Sequence, residues 1–282
     1  MRLGADRMRI RIILPIVRTG MPSFENKEYL DRVRRLSGIC PETQLDRVGI
    51  EHGPASIESR YDEALAGPDI IKRITEAEAD GVNAVVVNCF GDPSVRTGRE
   101  LVSIPVTGPC ESSMLVAASL CDRFSVISVV KNIIPLIRDN AEIYGVSNKL
   151  ASVRVTGIPV LDLQKDRDTT SHALVEEGRK AIELDGAEVL ILGCTGMTGI
   201  AERITKEIGV PVVDPLPTAI KFAETLVSLR LSHSKLSPTR LPLRRRGHMK
   251  VATKVRKKAL KALKFLLFKE GDFYFLLLHS SI

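Results

Sequence analysis

The chain lacks what several classes of protein require. Its 282 residues include five cysteines, Cys40, Cys89, Cys110, Cys121 and Cys194, and no CxxC pair. An odd, sparse set of this kind excludes a disulfide scaffold or zinc ribbon and fits a reduced, cytoplasmic protein. No apolar run reaches the roughly 18–20 residues of a membrane helix. The opening Met1-Arg2-Leu3-Gly4-Ala5-Asp6-Arg7 has neither the apolar stretch nor the cleavage site of a signal peptide, and Met8 is an alternative start. There is no GxGxxG, no GxxxxGKS/T and no HExxH, so nothing supports a nucleotide, cofactor or metal.

The net charge of +7 is unevenly spread. Residues 235–282 hold thirteen of the 41 basic and two of the 34 acidic residues, leaving 28 and 32 in the body. The body is therefore mildly acidic, and an argument for nucleic acid or an anionic membrane applies only to the tail.

Short apolar runs alternate with helical stretches, which predicts an α/β protein with parallel sheets. Strands are expected at Arg9–Val17, Val48–Ile50, Ala84–Val87, Leu101–Val106, Ser125–Val130, Ala151–Val155, Val189–Leu192 and Val210–Val213. Helices are expected at Asn26–Leu36, at Ser56–Leu65 with Ser56 as N-cap, and at Asp69–Asp80 closed by Gly81. Others are expected at Glu111–Leu120, Val130–Tyr144, Thr169–Asp185, Ile200–Ile208 and Thr218–Leu229.

The most informative feature is a repeat. Asp80-Gly81-Val82-Asn83-Ala84-Val85-Val86-Val87-Asn88-Cys89-Phe90-Gly91 is answered by Asp185-Gly186-Ala187-Glu188-Val189-Leu190-Ile191-Leu192-Gly193-Cys194-Thr195-Gly196. Ile104-Pro105-Val106 is answered, one residue out of step, by Val210-Pro211-Val212. Two similar units would set two thiols at equivalent strand ends, where open parallel sheets bind ligands. The domain reading is 1–100, then 101–206, with a strand and helix at 207–235 returning to the first unit and a basic extension at 236–282. Thiols that face each other can remove a proton from one face of a carbon and return one to the other. Turns after each cysteine would offer backbone N–H groups to a thiolate or an enolate oxygen. A lone cysteine at a strand end is more often a buried small hydrophobe; the repeated position favours catalysis.

Asn88-Cys89-Phe90-Gly91-Asp92-Pro93 and Leu192-Gly193-Cys194-Thr195-Gly196-Met197 resemble the two cysteine motifs of the hydantoin racemases in the aspartate/glutamate racemase superfamily. Gly53-Pro54-Ala55-Ser56-Ile57-Glu58-Ser59 and Leu231-Ser232-His233-Ser234-Lys235 are also similar to that family. The resemblance covers roughly residues 9–235. It implies two pseudo-symmetric, Rossmann-like α/β domains with the site between them, a cofactor-independent two-base racemase, and a homo-oligomer. It makes Cys89 and Cys194 the catalytic pair and has Asn88, Phe90, Thr195 and Gly196 line the site. Gly196 stands where glutamate racemases carry histidine, which argues against glutamate. The loop Leu14-Pro15-Ile16-Val17-Arg18-Thr19 keeps Pro15 and Thr19 of an Asn-Pro-Asn-Thr-like loop and loses both asparagines. The expected substrate is a 5-substituted hydantoin or allantoin before an amino acid. Within the superfamily, an aspartate/glutamate racemase, a maleate isomerase and an arylmalonate decarboxylase-like enzyme are alternatives; outside it, a redox-sensing ligand-binding protein.

Other residues are weaker candidates. Cys110 is as readily a helix-start residue as a cleft residue. Cys40 and Cys121 read as incidental, His52 as turn-facing, Glu58 as support for a helix start, Asp214 as a cap and His172 as a helix surface residue. The basic tail, with Arg244-Arg245-Arg246 and a lysine-rich amphipathic stretch from Lys250 to Lys264, reads first as a disordered extension, an oligomer contact or a frameshifted end, and second as a membrane or nucleic-acid anchor.

Overall fold

The computed structural model describes residues 8–17 and 27–236. Thr19 and the basic tail beyond residue 236 lie outside the described residues. The strands are β1 (Arg9–Leu14), β2 (Gln44–Gly49), β3 (Ala84–Val87), β4 (Val106–Thr107), β5 (Phe124–Ser128), β6 (Leu150–Val155), β7 (Val189–Leu192) and β8 (Val212–Val213). The helices are α1 (Lys27–Ser37), α2 (Arg60–Ala79), α3 (Val95–Leu101), α4 (Pro109–Leu120), α5 (Ile134–Ile143), α6 (Arg167–Asp185), α7 (Ala201–Ile208) and α8 (Pro215–Ser228). None of the described helices is long and apolar enough to cross a membrane.

The strands form two four-stranded sheets, ordered β2-β1-β3-β4 and β6-β5-β7-β8, with every pair parallel. The sequence repeat is thus a repeat of topology, and it extends to single hydrogen bonds. Asn83 N donates to Arg9 O as Glu188 N does to Arg123 O, and Val85 N donates to Pro105 O as Leu190 N does to Pro211 O.

The continuous apolar runs of β3 and β7 follow from burial on both faces. On the first sheet, Ile13, Val85 and Val87 meet Ala66, Ile70, Ile74 and Ala77 of α2. Its other face, with Ile10, Ile12, Ala84 and Val86, meets Val33 of α1 and Leu216, Ala219, Ile220 and Ala223 of α8. On the second sheet, Val126, Val189 and Ile191 meet Cys110, Met114 and Ala117 of α4, and Ile127, Leu190 and Leu192 face α6 and α7. Each half therefore sends its last helix to the other: α4 follows a strand of the first sheet and covers the second, and α8 does the reverse.

Several expectations need correcting. The strand at 212–213 pairs with β7 and stays in the second sheet; only α8 returns to the first. β4, placed beyond the expected boundary at 100, belongs to the first sheet. The two helices expected on either side of Gly67-Pro68 are one, α2, and Ser59 caps it by accepting from Asp62 N. A proline inside a helix costs about 3 kcal/mol. Burying Ile70 and Ile74 on one face returns about 1.5–3 kcal/mol each, so the helix continues. Leu101 ends a helix, α3, and the strand expected from it shrinks to Val106–Thr107.

Candidate active site

The two cysteines leave their sheets in the same way. Ile13 pairs with Val87 in the first sheet and Ile127 with Leu192 in the second. The next residues extend each ladder by one bond, Asn88 N to Ile13 O at 2.8 Å and Gly193 N to Ile127 O at 2.7 Å. Cys89 and Cys194 follow immediately, both half-buried.

The two thiol loops touch. Thr195 Oγ1 donates to the Asn88 carbonyl at 3.4 Å, which joins the residue after one cysteine to the residue before the other. The thiols are close enough for a charge on Cys194 to raise the pKa of Cys89. Two further bonds tie the halves nearby: Val160 N donates to Glu58 Oε1 at 2.7 Å, and Arg32 Nη2 of α1 donates to the Thr198 carbonyl at 3.0 Å.

Each sulfur meets the backbone amide two residues on, Cys194 from Gly196 at 3.4 Å and Cys89 from Gly91. These amides favour the thiolates, as the turns led one to expect, but burial outweighs them. Cys89 is pushed well above the ordinary thiol range, first by burial and then by the Glu63 carboxylate. Burial also pushes Cys194 up, to about 11, with Glu58 adding to the rise. Burial thus favours the neutral thiol over the thiolate at both positions.

The remaining candidates divide. Asn88 is buried, and its Oδ1 has no hydrogen-bond partner. Buried amide oxygens are normally paired, so this is an acceptor waiting at the thiol edge. Pro15 is buried at the exit of β1, on the strand bonded to Asn88. Gly196 supplies the amide to Cys194 and its carbonyl accepts from Gln164 Nε2. Phe90 lies in the apolar cluster with Cys110, Met114 and Leu136. Cys110 is fully buried there, with Asn140 Nδ2 3.9 Å from its sulfur. His52 is an exposed turn residue 3.4 Å from Asp69, and His172 pairs with Glu176 on the surface of α6.

Three acids matter more than the sequence indicated. Glu58 crosses to the second half. Asp92, in the left-handed region at φ 54°, turns its carboxylate onto the start of α4. There it accepts from Cys110 N at 2.9 Å, Glu111 N at 2.8 Å and the Tyr144 hydroxyl at 2.8 Å. Burial raises it to about 7 even so. Glu63, on the first turn of α2, has a buried, unpartnered Oε1, and burial raises it to about 7. Their roles follow from approaches between distant segments, which no local motif records; the only sequence hint is the cluster Glu58, Asp62, Glu63.

Among the described residues, one group brings three possible metal ligands within 4.8 Å, Glu51, His52 and Asp69. Asp69 Oδ2 there already accepts both backbone amides, at 2.9 and 2.7 Å, so the group reads as a loop cap.

Comparison with known proteins fits this geometry. A model of the Asp/Glu/hydantoin racemase family matches residues 27–223. A hydantoin racemase of Pseudomonas sp. (strain NS671) is 41% identical over 235 residues, which is 83% of this chain and 92% of the relative. The solved allantoin racemase from Klebsiella pneumoniae superposes with a TM-score of 0.76 at 31% identity, covering 83% of this chain and 94% of that one. Glutamate racemase from Francisella tularensis shares the fold, with a TM-score of 0.57 at 18% identity over 84% of this chain and 90% of that one.

Proposed function

The chain belongs to the hydantoin racemase family of the Asp/Glu racemases and is an isomerase, and on that premise we propose that it racemises a cyclic ureide, a 5-substituted hydantoin or allantoin, with Cys89 and Cys194 as its two bases. The observation that carries this reading is the Thr195–Asn88 hydrogen bond, which draws two equivalent thiol loops together.

The acidic carbon of such a ring lies between a carbonyl and a ring nitrogen. One sulfur, as thiolate, takes the proton from one face: the C–H bond breaks, an S–H bond forms, and the electron pair moves into the carbonyl to give an enolate. The opposite thiol then gives its proton to the other face, and its S–H electrons remain on sulfur. The cysteines end with their protonation states exchanged, so either enantiomer can enter next. Asn88 Oδ1 is suited to accept a ring N–H, which an open-chain ammonium acid would present less rigidly. Gly196 in place of histidine leaves the Cys194 loop without a group to protonate a free carboxylate or amine.

A cytoplasmic setting, consistent with five free cysteines, belongs to the same proposal. So does self-association, which the exposed Tyr61 and Leu65, one turn apart on α2, would serve. The division into two domains, with 236–282 as a separate basic extension, is retained as part of it.

The test is loss of optical activity of single hydantoin and allantoin enantiomers, with Cys89→Ala and Cys194→Ala as controls. Each substitution is expected to reduce racemisation by about 10²–10⁴-fold. Full activity in either variant rejects the pair.

A further inference from the structure

We propose that Glu63 is the positioning residue for Cys89, its carboxylate and the thiol sharing a single negative charge so that one is protonated when the other is ionised. The proposal rests on Cys89 being one of the two bases.

The geometry begins at Gly91. Its backbone N–H meets the sulfur of Cys89, while its Cα faces the carboxylate of Glu63, and a Cβ there would collide with Glu63 Oε1. A glycine at this point therefore lets a carboxylate approach the thiol loop from behind. Gly91 has no left-handed φ, so the backbone does not require glycine there; a Cβ would instead displace the Glu63 carboxylate from its place.

The oxygen in that space is buried and has no partner. A carboxylate retained only for packing or as a helix cap would spend its oxygens on amides, as Asp92 does, or on a cation. Glu63 Oε1 does neither. Its helix already has a cap in Ser59 and Asp62. The neighbouring cation, Arg60, is exposed and bonded to Asp139 of α5. The other charged or titratable groups facing Glu63 are Asp62 on its own helix and Asp92 and Cys89 on the thiol loop; Leu136 of α5 closes the space with carbon. Two anions in this pocket would oppose each other, with the exposed Arg60, already bonded to Asp139, as a partial counter-charge.

The proton count follows. With Glu63 ionised, Cys89 stays a thiol and serves as the acid of the pair. When Cys89 must act as base, its S–H bond breaks, the electron pair stays on sulfur beside the Gly91 amide and the proton passes to water, while Glu63, whose Oε1 makes no hydrogen bond to the sulfur, takes up a proton from water as an O–H. No reactant besides water is needed.

The experiment compares wild type with Glu63→Gln and Glu63→Asp. Cys89 alkylation by iodoacetamide is followed against pH by peptide mapping, beside the pH profile of kcat/KM on a hydantoin. In Glu63→Gln, Cys89 alkylation at pH 8 should rise by about three- to tenfold because the opposing charge is gone. Cys194 alkylation should not change. The racemisation rate should fall by about 10²-fold because the amide cannot hold the proton, with Glu63→Asp recovering part of it. Unchanged Cys89 alkylation and unchanged kcat in Glu63→Gln would overturn the inference while Cys89→Ala stayed inactive; an active Cys89→Ala would instead overturn the two-base reading. If Glu63→Gln does not fold, the wild-type profile decides. Two ionisations governing Cys89 alkylation and one governing Cys194 uphold the sharing of charge; one ionisation for each rejects it.

Discussion

Around Cys89 the protein gathers two buried carboxylates, Glu63 and Asp92, whereas around Cys194 it brings Glu58, which is bonded to the Val160 amide. The scaffold beneath is the same in both halves, down to the amide two residues beyond each sulfur. The helix clips also differ in their origin. In the first half the carboxylate comes from the thiol loop, as Asp92, and grips the start of α4. In the second it comes from the helix start, as Asp214, and grips the thiol loop through Gly199 N at 2.5 Å. At Gly108, the position matching Asp214, the Asp92 carboxylate occupies the space that a Cβ would fill. The two matching halves set two thiols at one geometry. The acids beside them differ, so burial and charge act unequally on the two sulfurs.

The largest effect should come from the clips. Asp92→Ala removes three hydrogen bonds at a buried helix start and should cost about 2–4 kcal/mol in urea unfolding. Gly108→Ala, which overpacks that site, should cost about 1–3 kcal/mol. The double variant should cost clearly less than their sum, because removing the carboxylate makes room for the methyl. Simple additivity would break the idea of reciprocal clips.

A smaller effect sharpens the contrast between the acids. The pKa of Glu63 is raised to about 7, so the folded state holds this proton more tightly than the unfolded chain. Its contribution to stability is complete below the unfolded value near 4.5 and is lost as pH rises through about 7. Glu63→Gln should therefore melt about 2–4 °C above wild type at pH 8 and level with it near pH 5. A constant gap across that range would remove the asymmetry. The smallest effect belongs to the bridge. Thr195→Val loses one long hydrogen bond and should lower kcat/KM about two- to fivefold, equally from both enantiomers, with little change in Tm.

Much of this comparison was legible in the chain. Ala84–Val87 and Val189–Leu192 stood out because strands covered on both faces have no polar positions, and the cysteines were readable as their equivalent exits. What could not be read depends on contacts between distant segments. Pro68 looked like a break because its cost is local and the burial that offsets it is tertiary. The edge strands β4 and β8 were expected, but their extents were not, because each keeps only two residues. The exchange of α4 and α8 leaves no periodic trace, since a helix buries the same face against either sheet. Glu63 looked like an ordinary acid in a first helical turn, and only the space at Gly91 distinguishes it.

The most direct test of two thiols acting from opposite faces is the early fate of the proton. A single hydantoin enantiomer is incubated with the protein in D2O, and residual substrate and product are separated at low conversion after subtracting spontaneous exchange. The account predicts deuterium in the newly formed enantiomer and protium in the residual substrate, with formation of the deuterated enantiomer lost in Cys89→Ala and in Cys194→Ala. A product that keeps its protium, or conversion that survives loss of either cysteine, would contradict it.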